Sequence, residues 1–197
     1  EIAQCLVGSE MCIRDSVKVM GTLGISEENL TALRKLKNVQ SVEGGHSVDV
    51  IARKQGSDEE HAIKVMGKTD KLNQITIIDG KLPQASGECL VDEWYAQQND
   101  LKTGDVLNLS SGNEDDLKDT LKDTTYKITG IGSSSEYLSR SRGSTGIGTG
   151  TLSGFIVVQP SEFSSDIYTE VYLTAKGAKQ ERAYSDCLLY TSDAADE

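Results

Sequence analysis

Apolar side chains fall mostly in short runs that alternate with polar residues or run unbroken, separated by turns rich in Gly, Asp and Ser. That pattern predicts strands far more often than helices. Extended segments are expected at 17–23, 39–52 (broken at Glu43-Gly44-Gly45), 61–66, 73–78, 88–91, 106–110, 126–131, 152–158 and 166–176. Segments 48–52 and 61–66 flank a polar turn and predict a hairpin. In 166–176, Ile167, Thr169, Val171 and Leu173 alternate with Tyr168, Glu170, Tyr172 and Thr174, the pattern of a half-buried strand. One amphipathic helix is expected over 27–37. Ser26 is placed to cap it, Glu27 and Glu28 suit its first turn, and Leu30, Leu33 and Leu36 share a face. A shorter helical turn follows Asp92 through 94–98, and another begins at Pro160. Strands that do not alternate with long helices argue against a doubly wound parallel sheet. They predict an α+β fold with mixed, mainly antiparallel sheets and few helices.

Between the runs at 126–131 and 152–158 lies a long insert of Ser, Gly, Arg and one Tyr. It has few apolar side chains, and its glycines cost backbone entropy to order, so a mobile loop is expected. Tyr137, Arg140 and Arg142 within it are the best candidates for contact with a partner. Both residue types are enriched at binding hot spots, and the two arginines stand in an otherwise acidic protein.

The charge narrows the function classes. Among 197 residues, Asp and Glu number 31 against 20 Lys and Arg, a net −11. Nucleic-acid binding needs clustered basic residues and is not expected. The same balance argues against docking on an anionic membrane surface through the folded body. No run reaches the ~20 apolar residues that span a bilayer.

Catalytic and cofactor motifs are not found. Gly146-Ile147-Gly148-Thr149-Gly150 lacks the third glycine and the following helix of a dinucleotide turn. His46 and His61 have no partners at zinc spacing, and no G-x-S-x-G occurs. The acidic stretch Glu114, Asp115, Asp116, Asp119 and Asp123 departs from the EF-hand pattern. Cys89 lies in an apolar run and reads as a small core residue. No catalytic, metal-ligating or cofactor-binding residue is assigned, and no enzymatic activity is expected.

Both ends look foreign to the body. CLVGSEMCIRDS at the front and CLLYTSDAADE at the back resemble translated sequencing-adapter read-through at the edges of metagenomic reading frames. Segments 1–16 and 187–197 are therefore expected to be non-native tails without stable packing. The domain proper is expected at 17–186, within a longer protein. Cys5, Cys12 and Cys187 then leave the count, and Cys89 alone supports no disulfide.

Several patterns in the body, in order along the chain, resemble one family. They are Asp79-Gly80-Lys81-Leu82-Pro83 with Gly87-Glu88-Cys89-Leu90-Val91, then Leu101-Lys102-Thr103-Gly104-Asp105-Val106. The strand 126–131 and the run from Tyr137-Leu138-Ser139-Arg140-Ser141-Arg142-Gly143 to Gly154-Phe155-Ile156-Val157-Val158 follow, and 30–41 fits an early helix. Together they resemble the extracytoplasmic, MacB-like periplasmic core domain of FtsX-like ABC transporter permeases. The resemblance implies an α+β fold with a porter-like and a strand-rich lobe, held outside the cell membrane between transmembrane helices. It implies a separate ATP-binding subunit as partner, reached through the membrane part. It also implies a dimer in the full-length protein, coupling of ATP-driven change to substrate export or to an envelope protein, and no catalytic residues. The alternatives are a secreted adhesion or interaction module, or a hydrolase with unrecognised carboxylates.

Overall fold

A computed structural model describes residues 16–113, 116–137 and 139–176. The expected tails 1–16 and 187–197, with Cys5, Cys12 and Cys187, lie outside the described residues except for Ser16, which opens the first strand; Glu114, Asp115 and Leu138 also lie outside them. The strands are β1 (Ser16–Ile25), β2 (Val39–Gly45), β3 (Ser47–Lys54), β4 (Glu60–Gly67), β5 (Ile75–Gly80), β6 (Glu88–Asp92), β7 (Val106–Ser110), β8 (Thr125–Ser134), β9 (Gly154–Val158) and β10 (Tyr168–Ala175). The helices are α1 (Glu27–Arg34) and α2 (Glu93–Gln98). The α+β class, dominated by mixed and mainly antiparallel sheets, is as the patterning predicts. The chain divides into two compact units.

Among the described residues, the first unit draws on 16–45, 69–73 and 167–176. Its sheet has the order β1-β10-β2, antiparallel throughout. Leu30 of α1 packs with Val171 and Leu173, and Val19, Ile25, Leu33, Val42 and Tyr168 close around them. Ser26 starts α1 through a reciprocal capping pair. Its Oγ accepts from Asn29 N at 3.3 Å, and its own N–H donates to Asn29 Oδ1 at 2.9 Å. Ser26→Ala is expected to cost about 1 kcal/mol in denaturant unfolding; no measurable loss would refute the capping role.

Two expectations change in this unit. α1 ends at Arg34, not near 37, because the chain must turn into β2 at Val39. Leu36 therefore leaves the apolar face and is 52% exposed. β10 is also buried on both faces, not one: Glu170, Tyr172 and Thr174 on one side are buried as well as Val171 and Leu173 on the other. Glu170 on its second face is ion-paired with Lys18 at 3.0 Å and accepts from the Tyr172 hydroxyl at 2.9 Å, which offsets its burial. The crossing segment Thr69–Asn73 is tied down by Glu43, whose carboxylate accepts from the N–H groups of Asp70, Lys71 and Leu72 at 2.5, 3.0 and 2.7 Å.

The second unit comprises His46–Lys68 and Gln74–Asp166. The expected hairpin is β3–β4. β4 pairs in parallel with β9, β9 with β6, β6 in parallel with β8, β8 with β7, and β7 with β3. Six strands thus close on themselves, a closure that local pattern did not predict. Closing the ring removes free strand edges. β8 is long enough to serve β7 over 125–127 and β5 over 130–134. Val50, Ile63, Val65, Val91, Tyr126, Ile128 and Ile156 fill the core. Leu117 and Leu121, from the charged stretch that follows β7, also enter that core. His46 stacks on Phe163 and His61 meets the edge of Tyr95, ordinary core-edge positions. Cys89 is wholly buried, and burial pushes its thiol well above the usual range.

Candidate functional site

The insert after β8 is not a mobile loop among its described residues. Tyr137 N–H donates to the Ser134 carbonyl at 3.2 Å, turning the chain back at the end of the strand. Further on, Ser144 and Thr151 pair, Thr145 N–H donates to Gly150 O, and Leu152 N–H donates to Gly143 O. This small hairpin is seated by Leu152, which is buried, and by Ile147, which lies near Ile51 over Gly112. The loop orders because scattered apolar residues find the sheet face. Composition could not show that.

The three expected contact residues lie together, but with different roles. Asp92 ends β6 and caps α2, accepting from Trp94 N–H at 3.3 Å. Arg142 reaches it in a fork, with Nε to Oδ2 at 2.8 Å and Nη2 to Oδ1 at 3.0 Å. Its Nη1 also donates to the Ser139 carbonyl. The two side chains are 9% and 1% exposed, so this is a buried pair. Tyr137 stacks on Phe155 with ring centres 5.3 Å apart, and the Arg142 guanidinium lies 5.2 Å from the Tyr137 ring centre. Arg140 is exposed and covers the Trp94 ring at 4.5 Å. Tyr137 and Arg142 therefore fasten the insert, while Arg140 on Trp94 forms its outward polar-aromatic face. Sequence reasoning missed Asp92, Trp94 and Phe155 as partners. The available signal was charge: an arginine in a loop of an acidic protein calls for a carboxylate.

A second polar cluster bears on the hydrolase alternative. Ser86 Oγ lies 2.8 Å from Asp123 Oδ2 and 2.6 Å from Glu162 Oε1, and the Tyr126 hydroxyl donates to Glu162 Oε2 at 3.0 Å. Burial, and then the Glu162 carboxylate, hold the Tyr126 hydroxyl above its ordinary range. Glu162 is 1% exposed, and hydroxyl groups occupy both its oxygens. The cluster ties three segments together, with Glu162 enclosed and Asp123 half-exposed at its edge. Among the described residues, no group of three or more His, Cys, Asp or Glu is placed to hold a metal ion. None of their helices is long and apolar enough to cross a membrane.

The glycine motifs have structural reasons. Gly80 on β5 faces Gly130 on β8, and Lys81 N–H donates to Thr129 O at 2.9 Å. In the turn before β7, Asp105 accepts from Lys102 N–H at 3.0 Å and pairs with Lys54 at 2.8 Å. The Lys54 hydrogen bond, then that of Lys102, holds the Asp105 carboxyl below its usual range. Its stabilisation is therefore complete above the ordinary carboxylate range and is lost as pH falls through the depressed value. Asp105→Asn should remove that contribution from an acid titration of stability; an unchanged acid limb would refute it.

No family model matches the chain, and no curated protein does. Solved structures do. The extracellular domain of the noncanonic ABC-type transporter YknZ from Gram-positive bacteria aligns with a TM-score of 0.50 and 14% identity, over 81% of this chain and 78% of that one. The fold is one used by extracytoplasmic transporter domains. The periplasmic region of MacB from Actinobacillus actinomycetemcomitans also aligns at 0.50, with 8% identity over 98% of this chain and 88% of that one. So does a domain of a protein named as a permease from Porphyromonas gingivalis, at 0.50 and 10% identity over 83% and 76%. At these identities the likeness is one of fold, and it agrees with the family that the motifs resemble.

Proposed function

We propose that this chain is the extracytoplasmic domain of an FtsX-like ABC transporter permease, with its native part at 17–186 and the flanking tails derived from adapter sequence. The observation that carries the reading is the shared fold with the YknZ and MacB outer domains, reached independently of the ordered motifs. The domain performs no chemistry. It transmits conformational change, driven by ATP hydrolysis in a separate subunit, to an exported substrate or an envelope protein, and the full-length permease works as a dimer in the cell membrane. Its contact with that partner runs through Arg140 on Trp94, a face held in place by Arg142 and Tyr137.

Long-read sequencing of the source locus through both ends tests the assignment. Membrane-length apolar segments before residue 17 and after residue 186, beside an ATPase gene, are expected. Stop codons or polar sequence there would overturn it in favour of a secreted module. For the contact face, Arg140→Glu should abolish crosslinking to the envelope partner in the full-length permease while leaving thermal unfolding unchanged. Undiminished crosslinking would remove Arg140 from the interface.

A further inference from the structure

We infer that the turn after α1 docks on the headgroups of an anionic lipid surface; this rests on the permease reading above. In the first unit, Ser16 pairs with Thr174, Val39 pairs with Ala175, and Lys176 N–H donates to the Asn38 carbonyl at 2.8 Å. The strand through which the chain enters the unit, the strand through which it leaves, and the turn 35–38 therefore share one end of the sheet. In a domain inserted between two membrane helices, that end faces the bilayer.

The chemistry of this end suits such a surface. Residues 16–18, 35–39 and 174–176 carry Lys18, Lys35, Lys37 and Lys176 and no carboxylate. Lys18 is paired with Glu170 and is not available. Lys35, Lys37 and Lys176 are exposed. Between the first two stands Leu36, 52% exposed and excluded from the core by the early end of α1. A protruding apolar side chain flanked by lysines matches the boundary between headgroups and acyl chains. The acidic charge of the whole chain opposes docking at long range, but it is screened beyond about 8 Å at physiological salt. The local lysines therefore decide which end approaches. Each lysine near an anionic surface favours the docked state about fivefold.

The test tethers the full 197-residue chain by an N-terminal histidine tag to vesicles containing a nickel-chelating lipid. The vesicles are phosphatidylcholine, alone or mixed with phosphatidylglycerol. Leu36→Trp in a Trp94→Phe background places a single reporter at the turn, read by quenching with brominated lipids. Quenching is expected on the phosphatidylglycerol vesicles, weak on phosphatidylcholine, and lost at high salt. Adding Lys35→Glu and Lys37→Glu should lower the docked-to-free ratio by about twenty-fold or more, with the domain still folded, since both side chains are exposed and a carboxylate at the C-terminal end of α1 costs only a small part of its stability. Equal quenching on both lipids, quenching that survives charge reversal, or none on either would overturn the proposal. Such a failure leaves the permease reading standing, since that depends on the sequence of the locus.

Discussion

Arg142→Ala should destabilise the second unit by about 3 kcal/mol in denaturant unfolding, the usual cost of stripping one partner from a buried ion pair. The loss has two parts. Asp92 would keep a desolvated charge with its strongest donors gone, and the insert would lose the bolt that holds it to α2. Hydrogen exchange should therefore rise across 135–153 and at the start of α2 before it rises in the barrel core. Arg142→Lys should recover only part of the loss, because an ammonium cannot make the two-pronged contact. The apolar double variant Asp92→Leu, Arg142→Met should be more stable than Arg142→Ala, since no charge is left unpaired. A change in Arg142→Ala within ~0.5 kcal/mol, the range of an ordinary surface substitution, would show that the pair does not hold the insert.

Gly130→Ala should cost a similar amount, about 3 kcal/mol, by a different route. A methyl group at Gly130 would be driven against the backbone of Lys81, 2.9 Å from its nitrogen and 3.0 Å from its carbonyl carbon. Backbone cannot swing aside as a side chain can, so either β5 detaches from β8 or the register between them shifts. Gly80 opposite has φ +71, a left-handed conformation that other residues adopt at a cost. Gly146 in the insert is the control, with nothing within 4 Å of where its methyl group would stand. Gly146→Ala should be neutral or slightly stabilising by reducing the entropy of the unfolded chain. If the two substitutions had equal effects, close backbone packing would not explain the Gly80–Gly130 pairing.

These two sites also mark where reading the sequence succeeds. Asp79-Gly80-Lys81 and the glycine of 126–131 were legible as motifs, though their mutual contact was not. Ser26 was legible as a cap because capping is settled within three residues. Asp92 was legible as the cap of α2, but its bond to Arg142, fifty positions away, was not. Tyr137, Arg140 and Arg142 were chosen for one role. The fold gives two of them to anchoring and leaves one facing outward.

The sequence by itself determined the α+β class, the strand and helix nuclei, the acidic character that opposes nucleic-acid binding, and the ordered motifs that resemble a permease outer domain. Each depends on side-chain chemistry and periodicity within a few residues. Only the tertiary structure decided that six strands close into a barrel, that β10 is buried on both faces, that the glycine-rich insert is ordered, and that Leu36 is exposed between two lysines. Those outcomes depend on which distant segments meet. Pairing across long sequence separations is fixed by the combined burial and hydrogen bonding of the whole chain, not by any local pattern.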